Sequence, residues 1–238
     1  MKIAPGLHAL ATEKGGHVHA YIVEHPAENG LILIDTMHDE NALQVREYLA
    51  SIGKKPQDIL FILLTHSHHN HIAGLATLAE LSAARVMAHN WEIGIIEGRR
   101  PAEKVGWRPP KPWNWTVAAF QAGVNFGIKK HRPQTVHRGL SDGDRVGPLH
   151  VIGVPGHTPG CLAFWLPEAK AVIAGDAVST WPVYPEISWP SFDLDHDEAQ
   201  RSVAKLGELP AEICCCGHGA PIMENAQRVL QQLGSKPI

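Results

Sequence analysis

Ile59-Leu60-Phe61-Ile62-Leu63-Leu64 runs straight into Thr65-His66-Ser67-His68-His69-Asn70-His71, and Ile72-Ala73-Gly74-Leu75 follows. The apolar run has the pattern of a strand covered on both faces, and apolar spacing from Ile72 to about Leu81 predicts a helix. Four imidazoles therefore sit between the end of a strand and the start of a helix. A core rarely needs even one histidine, and four on a surface loop would repel one another once protonated, so the cluster points to metal binding. Alternation places His66 and His68 on one side of an extended loop, and His71, in the first helical turn, comes back toward the same cavity. That arrangement suits two adjacent metal positions.

A closed coordination sphere needs more ligands than this loop offers, and three other strand ends supply candidates. Pro155-Gly156-His157-Thr158-Pro159-Gly160 follows the predicted strand Leu149–Val154. Ala174-Gly175-Asp176 follows Ala169–Ala174, and Gly217-His218-Gly219 follows Glu212–Cys216. In each, a strand gives way to a small residue and then to a ligand-type side chain. One such turn alone carries little; three together with the histidine loop carry the inference.

Working outward, strands are expected at Leu7–Thr12, His17–Val23, Leu31–Asp35, Arg85–Ala88 and Cys161–Leu166. Helices are expected at Asn41–Ile52, Glu198–Leu206 and Ile222–Leu233. The two halves repeat a sheet-plus-helix logic. Packed face to face with helices outside, they give an α/β four-layer αββα sandwich. A single domain over residues 1–238 is expected, with a cap insertion at about 98–133, where Pro101, Pro109, Pro110 and Pro112 interleave with Trp107, Trp113 and Trp115 and Ala118–Phe126 reads as helical. Consecutive Cys214, Cys215 and Cys216 would point to alternate faces of a core strand as buried thiols, which is poor geometry for disulfides.

Lys plus Arg number 21 against 24 for Asp plus Glu, a net charge of −3 without a basic block, which argues against a nucleic-acid partner. The longest apolar run is far below the roughly 18 residues of a membrane span, and Met1-Lys2-Ile3-Ala4-Pro5 lacks a signal peptide's apolar core. A cytoplasmic protein that acts on a small molecule is the expectation.

The chain resembles the metallo-β-lactamase superfamily of metallohydrolases, on its glyoxalase II and lactonase side. The resemblance rests on His66-Ser67-His68-His69-Asn70-His71 against the family's His-x-His-x-Asp-His loop, on Gly156-His157-Thr158, on Gly175-Asp176, on Gly217-His218-Gly219, and on Leu33-Ile34-Asp35-Thr36 as the early Asp-Thr turn. It implies the αββα sandwich with the metals at one edge of the two sheets. It further implies His66, His68 and His157 on metal one, His71 and His218 on metal two, Asp176 bridging, and Asp35 near the site. The departure is Asn70, where two-metal members carry aspartate. A neutral amide attracts a dication less and cannot serve as a general acid. This leaves a natural variant with a weak second site, an introduced substitution, or a relative that binds ligands without catalysis.

The expected activity is hydrolysis of an ester, thioester or lactone by a metal-bound hydroxide, with Asn70 and Asp176 at the reacting water and one or two zinc ions as cofactor. Iron or manganese suits the same donors. Trp107, Trp113, Trp115, Trp181, Tyr184, Trp189 and Phe192 could form the rim of a pocket for a substrate with an apolar part, or anchor loops to the body or to a partner in a homo-oligomer. The remaining histidines, His196 at a helix start among them, read as surface or core residues. An alternative within the superfamily is an iron-dependent sulfur dioxygenase. It shares Gly156-His157-Thr158-Pro159-Gly160-Cys161 but shows an arginine-rich segment where this chain has Ser179-Thr180-Trp181-Pro182.

Overall fold

Residues Gly30 to Ile34 show how this chain builds layers. Leu31 and Leu33 pack with Val45, Leu49, Ile62, Leu64 and Leu78, while Ile32 and Ile34 pack with Leu63, Val151, Phe164 and Ile173 on the opposite face. Side chains along a strand alternate between faces, so a strand covered on both sides reads as an unbroken apolar run. The computed structural model describes residues 1–12, 17–102, 131–181, 186–187 and 192–235, with Lys104, Ala119 and Ala122.

The first sheet takes its strands in chain order: β1 (Lys2–Ala4), β2 (Leu7–Ala11), β3 (His19–His25), β4 (Gly30–Ile34), β5 (Ile59–Leu63), β6 (Arg85–His89) and β7 (Arg138–Leu140). Pairing is antiparallel up to β4 and parallel from β4 to β7. The second sheet joins β8 (Arg145–Val146), β9 (Leu149–Gly153), β10 (Leu162–Leu166), β11 (Ala171–Ser179) and β12 (Glu186–Ile187), with β13 (Ile213–His218) parallel to β11.

Helices α1 (Leu43–Ser51), α2 (His69–Ile72), α3 (Leu75–Ser82) and α4 (Asn90–Ile96) precede the second sheet in sequence, and α5 (His196–Leu206) and α6 (Ala226–Gly234) come within or after it. Residues of α1 to α4 join the outward face of the first sheet, and those of α5 and α6 join the outward face of the second, with Trp165 and Val172. Between the sheets lies a core whose buried residues, among those described, come from the strands. The layer order is helix, sheet, sheet, helix, as expected. Cys215 faces the core between the sheets, and Cys214 and Cys216 face the helices. All four cysteines are buried free thiols. Among the described residues no helix is long and apolar enough to cross a membrane.

Three expectations need correction. The helix expected from Ile72 to Leu81 is two helices, because Thr36 claims the His71 carbonyl through both its N–H (2.7 Å) and its hydroxyl (2.9 Å) and so takes the acceptor that would continue α2. The strand expected to stop at Ala174 continues as β11 to Ser179, so Asp176 lies inside it at a register shift beside Gly175. The final helix starts at Ala226 rather than Ile222, which instead exchanges backbone hydrogen bonds with Cys214. Helix α4 and the short strands β1, β7, β8 and β12 were not foreseen. Most of the expected cap lies outside the described residues.

Candidate metal centre

The chain leaves β4 through Asp35, held at φ 59°, a left-handed conformation that aspartate tolerates better than most side chains. This aims its carboxylate at the loop after β5. Oδ1 accepts from the Thr65 amide at 2.8 Å, and Oδ2 from the Thr65 hydroxyl at 2.7 Å and from His71 Nδ1 at 2.9 Å. Having donated its proton to Asp35, the Thr65 hydroxyl is an acceptor for His66 Nδ1 at 3.0 Å. One buried carboxylate thereby places a ring proton of two histidines on Nδ1 and turns each Nε2 inward.

On the opposite sheet, His157 sits in the turn after β9, its Nδ1 3.4 Å from Asp193 Oδ1, while Asp193 Oδ2 accepts from His196 Nδ1 at 2.7 Å. Asp176 depends on two glycines. Gly175, at φ +54°, makes the kink in β11, and a Cβ at Gly217 would lie 1.9 Å from Asp176 Oδ1. His218 ends β13, which is tied to the first sheet by a bridge to Val18 and by Gly219 N–H donating to the His17 carbonyl at 3.0 Å.

The side chains from the two sheets converge. His68 Nδ1 lies 3.1 Å from His66 Nε2 and 3.0 Å from His157 Nε2. Asp176 Oδ2 lies 3.8 Å from His66 Nε2 and 3.3 Å from each of His157 Nε2 and His218 Nε2, and Oδ1 lies 3.2 Å from His71 Nε2. A tetrahedral ion with bonds of about 2.0–2.1 Å spaces its ligand atoms about 3.3 Å apart, since the edge of a tetrahedron is about 1.63 bond lengths. The set His66, His68, His157 and Asp176 fits that spacing, and His71, Asp176 and His218 form a second, three-membered set around the same carboxylate. Asp176 Oδ1 is buried without a hydrogen bond, and nitrogen lone pairs facing one another across about 3 Å are repulsive unless a proton or a cation stands between them.

Burial dominates the titration of His66 and His68 and holds both well below the usual imidazole range. Burial also opposes the charging of His71, but Asp176 and Asp35 outweigh it and push that ring up to about 10. His157 is raised in the same way against burial, by Asp193 and Asp176. Asp176 is held well below the carboxylate range because His218 and His71 overcome its burial. The pull toward positive charge thus falls on His71 and His157, beside the ionised Asp176, while burial holds His66 and His68 toward the neutral form.

All six residues expected as ligands meet here, and Asp35 lies against them. Asn70 is half-buried at the edge of the second set, its Nδ2 donating to His218 Nε2 at 3.1 Å. Of the aromatic side chains expected at the rim, Trp181 stands over His17 at 5.3 Å between ring centroids and Phe192 is half-buried; the other five lie outside the described residues. His196 starts α5 as expected, yet it also bonds the carboxylate behind His157. Sequence reasoning missed Asp193 and the buried Glu92, which accepts from the hydroxyls of Ser67 and Thr158. No motif marks either residue.

A sequence model described as the metallo-beta-lactamase superfamily matches residues 14–218. The uncharacterised protein YobT of Bacillus subtilis is 29% identical over 225 residues, which cover 91% of this chain and 89% of that protein. The probable metallo-hydrolase YflN of the same organism is 26% identical over 250 residues, covering 98% and 91%. A hydroxyacylglutathione hydrolase of Cereibacter sphaeroides is 25% identical over 211 residues, covering 84% of this chain and 62% of that one. Among solved structures, TTHA1623 in a di-iron-bound form superposes with a TM-score of 0.64 at 26% identity, covering 90% of this chain and 93% of that chain.

Proposed function

The chain belongs to the metallo-beta-lactamase superfamily, and from that premise we propose that it is a metal-dependent hydrolase acting on an ester, thioester or lactone of a small molecule with an apolar part. The observation that carries the proposal is the pair of ligand sets sharing Asp176. His66, His68 and His157 with Asp176 would hold the first ion, and His71 and His218 with the same carboxylate the second. An ion bound there supplies a Lewis acid and lowers the pKa of water from 15.7 to about 7. Imidazole and carboxylate donors suit zinc and iron alike, and the di-iron-bound neighbour supports keeping both.

The chain's own groups narrow the substrate. Asp176, ionised and fixed between the two sets, can orient a water proton through an oxygen. His66, His71 and His157 already spend both ring nitrogens, one on the cavity and one on Thr65, Asp35 or Asp193, so none of these three shuttles protons. Asn70 has no proton to exchange at the position where an aspartate could. With no acid there, leaving groups that depart without protonation are favoured, and a thiol, with a pKa of about 8.5, qualifies far better than an alcohol. The name of the hydroxyacylglutathione hydrolase relative is consistent with that preference.

The test is metal analysis of the purified protein together with a substrate panel. About one or two transition-metal ions per chain are expected, as is faster turnover of thioesters than of matched oxygen esters. His66→Ala and His157→Ala should lose the metal. Oxygen uptake with a persulfide, and no hydrolysis of any acyl substrate, would move the activity from hydrolysis to sulfur oxidation.

A further inference from the structure

Helix α4 carries a carboxylate that the chemistry above does not use. Glu92 is the third residue after the N-cap His89, whose Nδ1 accepts from the Trp91 amide at 3.1 Å. An acidic side chain in a first helical turn is ordinarily exposed, interacting with that turn's free amides or reaching back to the cap. Glu92 is instead 0% exposed. Its Oε2 accepts from the Ser67 hydroxyl, and its Oε1 from the Thr158 hydroxyl at 2.7 Å. Ser67 lies between His66 and His68, and Thr158 directly follows His157. Gly160 leaves the carboxylate its room, since a Cβ there would sit 2.5 Å from Glu92 Oε1.

The two loops joined in this way come from different sheets. Their bases are linked by the Leu162 amide donating to the Thr65 carbonyl at 2.8 Å, which leaves the tips that carry the imidazoles free to splay unless something holds them. Hydroxyl-to-carboxylate bonds are shorter and stronger than neutral ones, and burial strengthens them further. We propose that Glu92 is a positioning residue for the first candidate ion: it clamps the His66–His68 loop to the His157 turn and sets the 3.0 and 3.1 Å spacings at which the three imidazole nitrogens meet. This rests on the metal-binding reading given above.

Cobalt(II) is the probe, because its visible absorption bands report coordination geometry independently of turnover. Metal-free wild type, Glu92→Gln, Glu92→Leu, Ser67→Ala and Thr158→Val are titrated with cobalt, and the first equivalent is followed by spectrum and by competition with a chelator. Glu92→Leu should bind the first ion about 10–100-fold more weakly, the range found when groups that orient metal ligands are removed, and with an altered band. Glu92→Gln should restore the wild-type spectrum, because its amide accepts from one hydroxyl and donates to the other. Ser67→Ala and Thr158→Val, which cut one arm of the clamp each, should fall between, and they decide the matter if Glu92→Leu does not fold. Wild-type affinity and spectrum in both hydroxyl variants, or a glutamine variant no better than leucine, would overturn the clamp while leaving metal binding intact. If the wild type takes up no cobalt, the metal reading itself fails and the clamp fails with it.

Discussion

Replacing Asn70 by aspartate puts one negative charge where the amide now donates to His218 Nε2 at 3.1 Å, at the margin of the three-membered set. A unit charge about 4 Å from another gains about 4 kcal/mol at an effective dielectric of 20, hence about 8 kcal/mol beside a dication. Against this stand the loss of hydration of a half-buried carboxylate, several kcal/mol in such a site, and repulsion from Asp176. A net gain of about 1.4–4 kcal/mol remains, which is roughly tenfold to a thousandfold in the affinity of the second ion. The assay is calorimetric titration of metal-free protein with zinc, resolving two equivalents. Asn70 protein should fill the His66, His68, His157 and Asp176 set first and the other weakly. The Asn70→Asp variant should tighten the second equivalent with little change in the first. Two equally tight equivalents in the Asn70 protein, unaltered by the substitution, would refute the reasoning.

Other outcomes follow from the same geometry. In metal-free protein, His19, His66 and His68 are held below their ordinary pKa, chiefly by burial, and His19 falls to about 4. The unfolded chain therefore binds more protons than the folded one below about pH 6.5, and stability should fall with acidity there, by about 3 kcal/mol from His19 alone by pH 4. His71 and His157 are raised, so their contribution is complete below about pH 6.5 and is lost as pH climbs, for His71 through about 10. The urea midpoint of metal-free protein should peak near pH 6.5, and a monotonic profile would contradict the assignment. Asp35→Ala strips an acceptor from three buried donors at about 1–3 kcal/mol each; an unchanged urea midpoint would show that the hub is not structural. Gly217→Ala forces a methyl to within 1.9 Å of the Asp176 oxygen. It should cost about 1–3 kcal/mol and weaken both zinc equivalents, because both sets share Asp176.

What was legible in the sequence was whatever local spacing encodes. The unbroken run at Ile59–Leu64, the alternation of Cys214 to Cys216 and the small residue before His157 each state a strand or its end locally, whereas Gly175 and Gly217 do not end their strands, since β11 runs on to Ser179 and β13 to His218. Asp193 and Glu92 were illegible because their meaning lies in partners 36, 25 and 66 residues away. In the sequence, Glu92 reads only as an acidic residue among apolar ones. The break after α2 was equally hidden, since the hydroxyl that ends it belongs to Thr36, 35 residues earlier. Strands of two or three residues such as β8, β12 and β7 have no period to detect. They exist because a neighbouring edge offers them hydrogen bonds.

Three of the six convergent side chains precede residue 103 and three follow residue 131, and neither half contains a whole set: His66 and His68 lack His157 and Asp176, and His71 lacks Asp176 and His218. A chain severed between those residues would yield two fragments, each able to offer stray imidazoles and neither able to build a pocket. Their reassociation could be followed by ion uptake as a complementation signal. Occupancy would thus register the mutual alignment of the two sheets, so that a slip of one against the other at a point far from the cavity would show itself first as lost ion, before any strand had melted.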